Sequence, residues 1–424
     1  MKLNKLIKII NGNYQNDIRS YKNINNFVID SRICTKDDIF IAINNGYKYI
    51  DNNLDCLCVI TDKNITKNVP YPIIKVKDSI IALSNIAKYK RKHYKKTKVI
   101  AITGSVGKTT TKELLYNILK TKYKVYKSDK NYNNHIGLPL TLSNINQNYD
   151  YILLEMGMNH KGEIDYLSNI AKPNIGIITN IGTSHIGNFN TYEDIIYSKL
   201  ELTNYLKDIL FIDKKYNKYI NYKNIYYYKD YQIKNITNTL ENTNFIININ
   251  NIDYKINFNI PGIHLINNIL ICIDVSLYLN IKIEDIIKTI NEFIMPENRL
   301  NIYKKDFIIL DDSYNASLES TIGLLDTIKN IKKEKIIILG DILELGNYSK
   351  EIHLKINNKL KEIYGLKLLV GEETKVIDGI HFNNNKEIIN YLKSIVLKDK
   401  LIILKGSHRM NLKEIKDELL SWLR

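Results

Sequence analysis

No run of apolar residues in this chain approaches the ~18 that a membrane-spanning helix needs, so no membrane span is expected. The opening residues, MKLNKLIKIINGNY, hold no long apolar stretch ending in small residues, and no secretory signal is read there. Cysteine is scarce. Cys34, Cys56, Cys58 and Cys272 show neither zinc-ligand nor thiol-redox spacing. Cys56 and Cys58 read as alternate strand positions, hence core, and this usage fits a reducing cytoplasm. There is no internal repeat and no long low-complexity tract. A basic stripe interleaved with aromatics is also missing, although 61 Lys+Arg against 45 Asp+Glu give a formal net charge of +16. Lysine, asparagine, isoleucine and tyrosine are abundant everywhere. The charge fits attraction for phosphate-rich or acidic ligands, and it equally fits compositional drift. A nucleic-acid partner is not expected.

At 424 residues and 44% apolar content, the chain is too long for one ordinary core, and two or three domains are expected. Residues 1–92 read as a small α/β unit, with strands near 26–30, 38–43, 57–61 and 73–76 and a helix over 79–92. Residues 93–297 alternate near-continuous apolar strands (VIAIT, YILLEMG, IGIITNIG) with amphipathic helices, which indicates a parallel sheet covered on both faces. Within that unit, ILFID, NIYYYKD, FIININN and YKINFNI in residues 209–260 are expected to be antiparallel strands. Met295-Pro296-Glu297-Asn298 marks a boundary. Residues 298–424 carry a second α/β pattern with strands FIILDD, KIIILGD, LKLLVG and LIILKGS.

Residues 98–120 are the most informative. A short apolar strand meets Gly104, Ser105, Val106, Gly107, Lys108, Thr109 and Thr110, and an amphipathic helix follows with Leu114, Leu115, Ile118 and Leu119 on one stripe. Strand, glycine loop, Lys-Thr and helix form the context of a phosphate-binding loop. Glycines let backbone N–H groups converge on an anion, and the helix N-terminus adds positive potential. Lys108 is placed to reach β/γ-phosphates and Thr109 to ligate Mg²⁺. The common spacing G-x-x-x-x-G-K-[ST] needs glycine at 102, where this chain has Ile102. The motif is the shorter T-G-S-x-G-K-T-T-T.

Three further residues follow from position. Glu155 ends the strand YILLEMG, at the end of a parallel sheet where ligands bind, and is placed to hold Mg²⁺. His185 follows the next strand. Lys199 shares a helical stripe with Ile195, Ile196, Leu202 and Leu206 in a helix read over 190–206, capped by Asn190 or Thr191. A bare ammonium there is costly to bury. It either snorkels to the surface or, as a neutral amine, adds CO₂ to become a carbamate that can ligate Mg²⁺. The amides of Asn131 and Asn134, in NYNNHIGLPLT, can read peptide and sugar oxygens or simply build a loop.

These patterns resemble the Mur ligases. T-G-S-x-G-K-T-T-T, E-M-G-x-N-H-x-G-E over 155–163, T-N-[IV]-G-x-x-H over 179–185 and N-x-N-N-x-I-G-x-P-L-T over 131–141 all match. So do G-x-H-x-x-x-N over 262–268, Lys199-Leu200-Glu201 and Asp311-Asp312-Ser313-Tyr314-Asn315-Ala316. Among Mur ligases the resemblance is to the dipeptide-adding type. It implies three domains: a central P-loop parallel-sheet ATPase domain, a small N-terminal α/β domain and a C-terminal Rossmann-like α/β domain. It implies ATP and Mg²⁺ as cofactors, UDP-N-acetylmuramoyl-tripeptide and D-alanyl-D-alanine as substrates, a monomer, and a cytoplasmic location. It implies Lys108, His185 and carbamylated Lys199 as catalytic groups, with Thr109, Glu155, His185 and Lys199 on the metal. Asn268 is implied at adenine, Arg299 at the phosphates and Asp312 at the ribose. Ser31 and Arg32 are implied at the UDP moiety, Asn131, Asn134 and Asn159 at the rest of that substrate, and Tyr314 and Asn315 at the acceptor. The chain departs from the family in having Ser317-Leu318 after Ala316, where Asn-Pro is usual, and in a shortened stretch over 44–51. Two rival readings are a Mur-type ligase adding a single amino acid, and a P-loop NTPase or kinase without ligation.

Overall fold

The computed structural model describes residues 2–15, 23–129, 131–294, 300–304 and 306–422. Its sheets follow the apolar runs. The N-terminal sheet is ordered Asn13–Gln15, Ile73–Lys75, Cys58–Thr61, Ile39–Ala42 and Phe27–Val28. Only the first pair is antiparallel. The strand Asn13–Gln15 and a first helix, Leu3–Ile10, add to the expected elements.

The helix Ser79–His93 leads out of this unit. Asp78 starts it by accepting the amides of Ile80 (2.7 Å) and Ile81 (2.8 Å). Near its far end Arg91 is buried. Its guanidinium donates to the carbonyls of Ala171 (2.7 Å), Thr97 (3.1 Å) and Lys172 (3.2 Å) and to Asn174 Oδ1 (3.0 Å). One side chain thereby fastens the N-terminal unit's exit helix to the central sheet.

The central sheet runs Ile225–Tyr227, Ile209–Ile212, Ile175–Ile178, Lys98–Thr103, Tyr151–Glu155 and Val125–Lys127, all parallel. The phosphate-loop strand Lys98–Thr103 lies between the strand that ends in Glu155 and the strand that leads to His185. Here the reading of 209–260 is corrected. Ile209–Ile212 and Ile225–Tyr227 are parallel strands of this sheet, not antiparallel ones. Leu210, Phe211 and Ile212 form an unbroken buried run, the mark of a strand covered on both faces. Ile233–Asn238, Thr243–Ile249 and Ile252–Phe258 are antiparallel. Thr243–Ile249 alternates buried and half-buried residues, as a one-sided sheet requires.

The C-terminal sheet is ordered Asn301–Lys304, Ile308–Asp311, Leu401–Lys405, Lys335–Gly340, Leu366–Val370 and Ile380–Phe382. Only its first pair is antiparallel. Leu324, Leu325 and Ile328, from the helix Leu318–Lys329, belong to the same apolar cluster as the central core. The two larger units therefore share a packed seam. Met295, Pro296, Glu297, Asn298 and Arg299, where the second boundary and a phosphate-binding arginine are expected, lie outside the described residues. All four cysteines are free thiols, and no helix among the described residues is long and apolar enough to cross a membrane.

Arg91→Ala should lower stability by about 2–3 kcal/mol, because it strips a charged donor from several buried acceptors at once. Calorimetric unfolding should show a lower midpoint. An unmoved midpoint would remove Arg91 as the tether.

Candidate active site

The strand Lys98–Thr103 delivers its backbone into the turn 104–107, and two glycines make the turn possible. Gly104 has φ +151°, and a Cβ there would stand 2.0 Å from Thr179 Oγ1. Gly107 has φ +82°, and a Cβ there would meet Asn268 Nδ2 at 2.1 Å. The loop after the neighbouring strand braces the turn. Asn180 Oδ1 accepts the amides of Ser105 (3.1 Å) and Val106 (2.9 Å), and Thr179 Oγ1 donates to the Val106 carbonyl (2.7 Å). Lys108 opens the helix Lys108–Leu119, whose first amides have no intrahelical acceptor and give the loop the positive end of the helix. The Lys108 ammonium lies back over the loop, donating to the carbonyls of Gly104 (2.7 Å) and Ser105 (3.2 Å).

Beside the loop, Glu155 is buried at the end of its strand. Its Oε2 accepts the Thr109 hydroxyl (2.8 Å) and its Oε1 accepts Asn133 Nδ2 (2.9 Å). Lys112, fully buried one helical turn after Lys108, brings its ammonium to 4.0 Å from Glu155 Oε2 and donates to the Ser128 carbonyl at 2.9 Å. Asn133 and Lys112 were not singled out from the sequence. Lys112 could have been, because a lysine between Thr111 and Leu114 falls on the buried side of that helix.

His185 holds a left-handed backbone, φ +64°, and its Nδ1 pairs with Glu344 Oε2 from the C-terminal unit. Burial lowers its pKa below the usual imidazole range, the Glu344 contact raises it, and Lys108 and Lys199 lower it further. The contact spans 159 residues between two units, and such a pairing has no signal in linear sequence.

Lys199 is buried at 3% exposure. Its helix is shorter than the expected 190–206. It runs Tyr192–Leu200, capped by Thr191 in a reciprocal box with Asp194, and tightens into the turn Glu201–Tyr205. Glu201 reaches sideways there, accepting the amides of Gly162 (2.8 Å) and Asp165 (3.1 Å) to cap the helix Glu163–Ala171. Among the described residues no hydrogen bond or ion pair holds the Lys199 ammonium. Burial drives its pKa well down, Lys108 adds to this, and Glu319 opposes it.

One cleft of about 1270 Å³ receives both walls. The central wall carries residues 105–110, Asn131, Asn134, Glu155, Asn159 and His185. The opposite wall carries Asp312, Tyr314, Asn315, Glu319, Glu344 and Lys405. Asp312, just past the end of the strand Ile308–Asp311, is held by Lys405 Nζ at 2.5 Å, and the same ammonium donates to the Asn315 carbonyl at 2.9 Å. Tyr314 meets the His408 ring edge-on. Asn268 lines the cleft with its amide nitrogen on the Gly107 carbonyl (2.9 Å) and Thr111 Oγ1 (3.2 Å). Asn134 spends its Oδ1 on the amides of Ile136 (3.1 Å) and Gly137 (2.8 Å), a loop-building role. Among the described residues, four predicted ones are not part of this lining: Gly104 and Lys199, which are buried behind it, and Ser31 and Arg32. Arg32 is exposed and paired with Asp30 at 2.6 Å.

Residues 102–276 match the family model of the Mur ligase middle domain, and residues 298–408 match that of the Mur ligase glutamate ligase domain. The UDP-N-acetylmuramoyl-tripeptide–D-alanyl-D-alanine ligase of Bacillus subtilis (strain 168) is 30% identical, over 98% of this chain and 97% of its own. The chain belongs to the MurF branch of the Mur ligase family. A crystal structure of MurF from Acinetobacter baumannii superposes with a TM-score of 0.89, at 25% identity, covering 99% of this chain and 98% of that one. MurF ligase from Thermotoga maritima, solved in complex with ADP, superposes at 0.83 with 25% identity, covering 94% and 97%. In this MurF-type chain, the walls that meet at the cleft thus come from the two segments that match Mur ligase models.

Lys108→Ala should reduce kcat by ~10²–10³-fold or more while leaving the thermal midpoint in place, because the charge lost belongs to a cleft-lining loop. Unchanged turnover would remove the phosphate-loop assignment.

Proposed function

We propose that this chain is an ATP-dependent amide ligase that joins D-alanyl-D-alanine to the terminal carboxylate of UDP-N-acetylmuramoyl-tripeptide, in peptidoglycan precursor synthesis. The observation that carries the reading is the shared cleft. A phosphate loop opens into the same volume of about 1270 Å³ as the Asp312–Asn315 loop of a second unit. That exceeds the ~300–1,000 Å³ of an ordinary small-ligand pocket and leaves room for substrates beyond a nucleotide, which a simple NTPase does not need.

The chemistry proceeds in two displacements. A tripeptide carboxylate oxygen attacks the γ-phosphorus of ATP, the bond to the bridging oxygen breaks, and ADP leaves an acyl-phosphate. The dipeptide amine then attacks the acyl carbon, phosphate departs, and the nitrogen gives up its proton. Lys108 and the first amides of its helix hold the phosphates in line. Asp312, fixed by Lys405, receives the ribose. Tyr314 and Asn315 face the acceptor, while Asn131 and Asn159 line the side of the longer substrate.

The donor set suits Mg²⁺. No group of three His, Cys, Asp or Glu among the described residues could hold a metal alone. The Thr109 hydroxyl against the Glu155 carboxylate instead offers hard oxygens to a cation that takes its remaining ligands from phosphates and water. Bound there, Mg²⁺ neutralises charge on the transferring phosphoryl group. His185 borders the same space. Lys199 is proposed as a carbamate: its neutral Nζ adds to the carbon of CO₂, one C=O becomes C–O⁻, and a proton leaves the nitrogen. Burial without a counter-ion supports that reading over snorkelling, because nothing carries the ammonium to water. Both walls belong to one chain, so a monomer is a sufficient catalytic unit. ATP and nucleotide-linked precursors are cytoplasmic pools, and the reaction is placed there.

Product should form only when ATP, Mg²⁺, UDP-N-acetylmuramoyl-tripeptide and D-alanyl-D-alanine are all present. If free D-alanine or glutamate replaces the dipeptide with equal efficiency, the single-residue rival wins. ATP turnover without any acceptor would favour the NTPase.

Lys199→Ala should be nearly inactive, and acetate should partly restore it by presenting an oxygen anion in the vacated space. A snorkelling lysine would tolerate alanine within about ±0.5 kcal/mol and ignore acetate.

A further inference from the structure

Two short turns from different units are knitted together at the edge of the cleft. One is Ile186–Asn188, after His185, and the other is Gly346–Tyr348, after Glu344. The Gly187 amide donates to the Glu344 carbonyl at 3.0 Å, and the Tyr348 hydroxyl donates to the Asn190 carbonyl at 3.3 Å. The turns touch so closely that a Cβ on Gly187 would lie 2.4 Å from the Gly346 nitrogen. Within this seam His185 and Glu344 are both non-glycine residues at φ +64°. Such backbone persists only where the surroundings over-determine it, and it gathers at functional sites. Here it aims two side chains at each other across the seam, Nδ1 of His185 against Oε2 of Glu344.

We propose that Glu344 is a positioning residue for His185, supplied across the seam by the C-terminal unit, so that the imidazole presents Nε2 to the phosphate–metal site in one tautomer only while the two units are in contact. With Nδ1–H donated to the carboxylate, Nε2 is left as the acceptor. A carboxylate behind a ligating histidine fixes ring orientation and raises basicity. The seam thus ties completion of the site to contact between the two units, and the inference rests on the reading of His185 as bordering Mg²⁺. The Glu319 carboxylate makes a second cross-unit contact, accepting the Thr183 amide (2.6 Å) and hydroxyl (3.0 Å), but it does not touch the imidazole. Seam formation and imidazole positioning are therefore separable.

The test uses the full chain, with Mg²⁺ and ADP as probes and ¹⁵N-labelled histidine. In the unaltered protein His185, identified by its loss in His185→Gln, should show the Nδ1–H tautomer, and Mg²⁺ should tighten ADP binding measured by calorimetry. Glu344→Gln keeps the shape and removes the charge. Its amide can donate to Nδ1 as well as accept from it, so the variant should mix the two tautomers and cut the Mg²⁺-dependent gain by ~10–100-fold, leaving Mg²⁺-free ADP affinity unchanged. Tyr348→Phe, which removes only a seam hydroxyl, should leave both readouts in place. On a His185→Ala background, Glu344→Gln should add nothing to the loss. A wild-type tautomer and Mg²⁺ response in Glu344→Gln, an additive loss in the double variant, or an equal loss in Tyr348→Phe would each overturn the proposal. Absence of any Mg²⁺ effect in the unaltered protein would instead overturn the metal-site reading beneath it.

Discussion

One buried carboxylate organises the centre of this molecule. Glu155 ends its strand with almost no access to water, and a carboxylate so placed stays charged only if donors replace its hydration. Three groups surround it: the Thr109 hydroxyl from the phosphate loop, the Asn133 amide from the loop over 131–137, and the Lys112 ammonium from within the next helix. Thr109 and Lys112 share the helix Lys108–Leu119, and Asn133 comes from a separate loop. Satisfying one charge therefore fixes the relative positions of the strand end, the nucleotide loop and a substrate-side loop. The same requirement explains a fully buried Lys112, which would be costly anywhere else in the core.

Topology carries that local order outward. In a parallel sheet the carboxyl ends of the strands lie on one edge, so Thr103, Glu155 and Ile178 lead to loops that open on the same side. The C-terminal sheet obeys the same rule, with Asp311, Gly340 and Lys405 ending strands whose loops open on the cleft. Two crevices of one kind face each other across the cleft. Lys405 does for the second unit what Lys112 does for the first. Nearly buried itself, it pins Asp312 and the Asn315 carbonyl and gives the loop over 312–315 a fixed shape.

Much of this was legible in the residues. Strand identities and the phosphate loop follow from apolar runs and glycine placement, which are local properties. The inward lysine at 199 was readable because helical spacing alone puts it among Ile195, Ile196 and Leu202. Local pattern failed at Ile225–Tyr227, whose tyrosine-rich stretch hides a parallel strand of the main sheet. It gave no role to Glu201, whose carboxylate caps another helix, and it left Asn134 open between substrate contact and loop building; its Oδ1 builds the loop while the residue lines the cleft. Glu319, Glu344 and Asn133 went unassigned for a different reason. Their partners are remote in sequence, at Thr183, His185 and Glu155, and pairing between separate segments leaves no periodic trace. The seam glycine at 187 reads as an ordinary turn glycine until Gly346 is seen against it.

The electrostatics around Lys199 bring these threads together. As an ammonium it would stand near Lys108, and each would raise the cost of burying the other. Only Glu319, from the far wall, opposes that. The carbamate proposed above would reverse the sign of the group and give Lys108 an anionic neighbour. Glu319 would then be a second anion on the facing wall, and the pair would favour a cation at the side where Thr109 and Glu155 offer oxygens. On the proposed carbamate, the need for a divalent metal follows from a charge balance set by a lysine that the helix repeat forces inward and a glutamate that the second unit carries in.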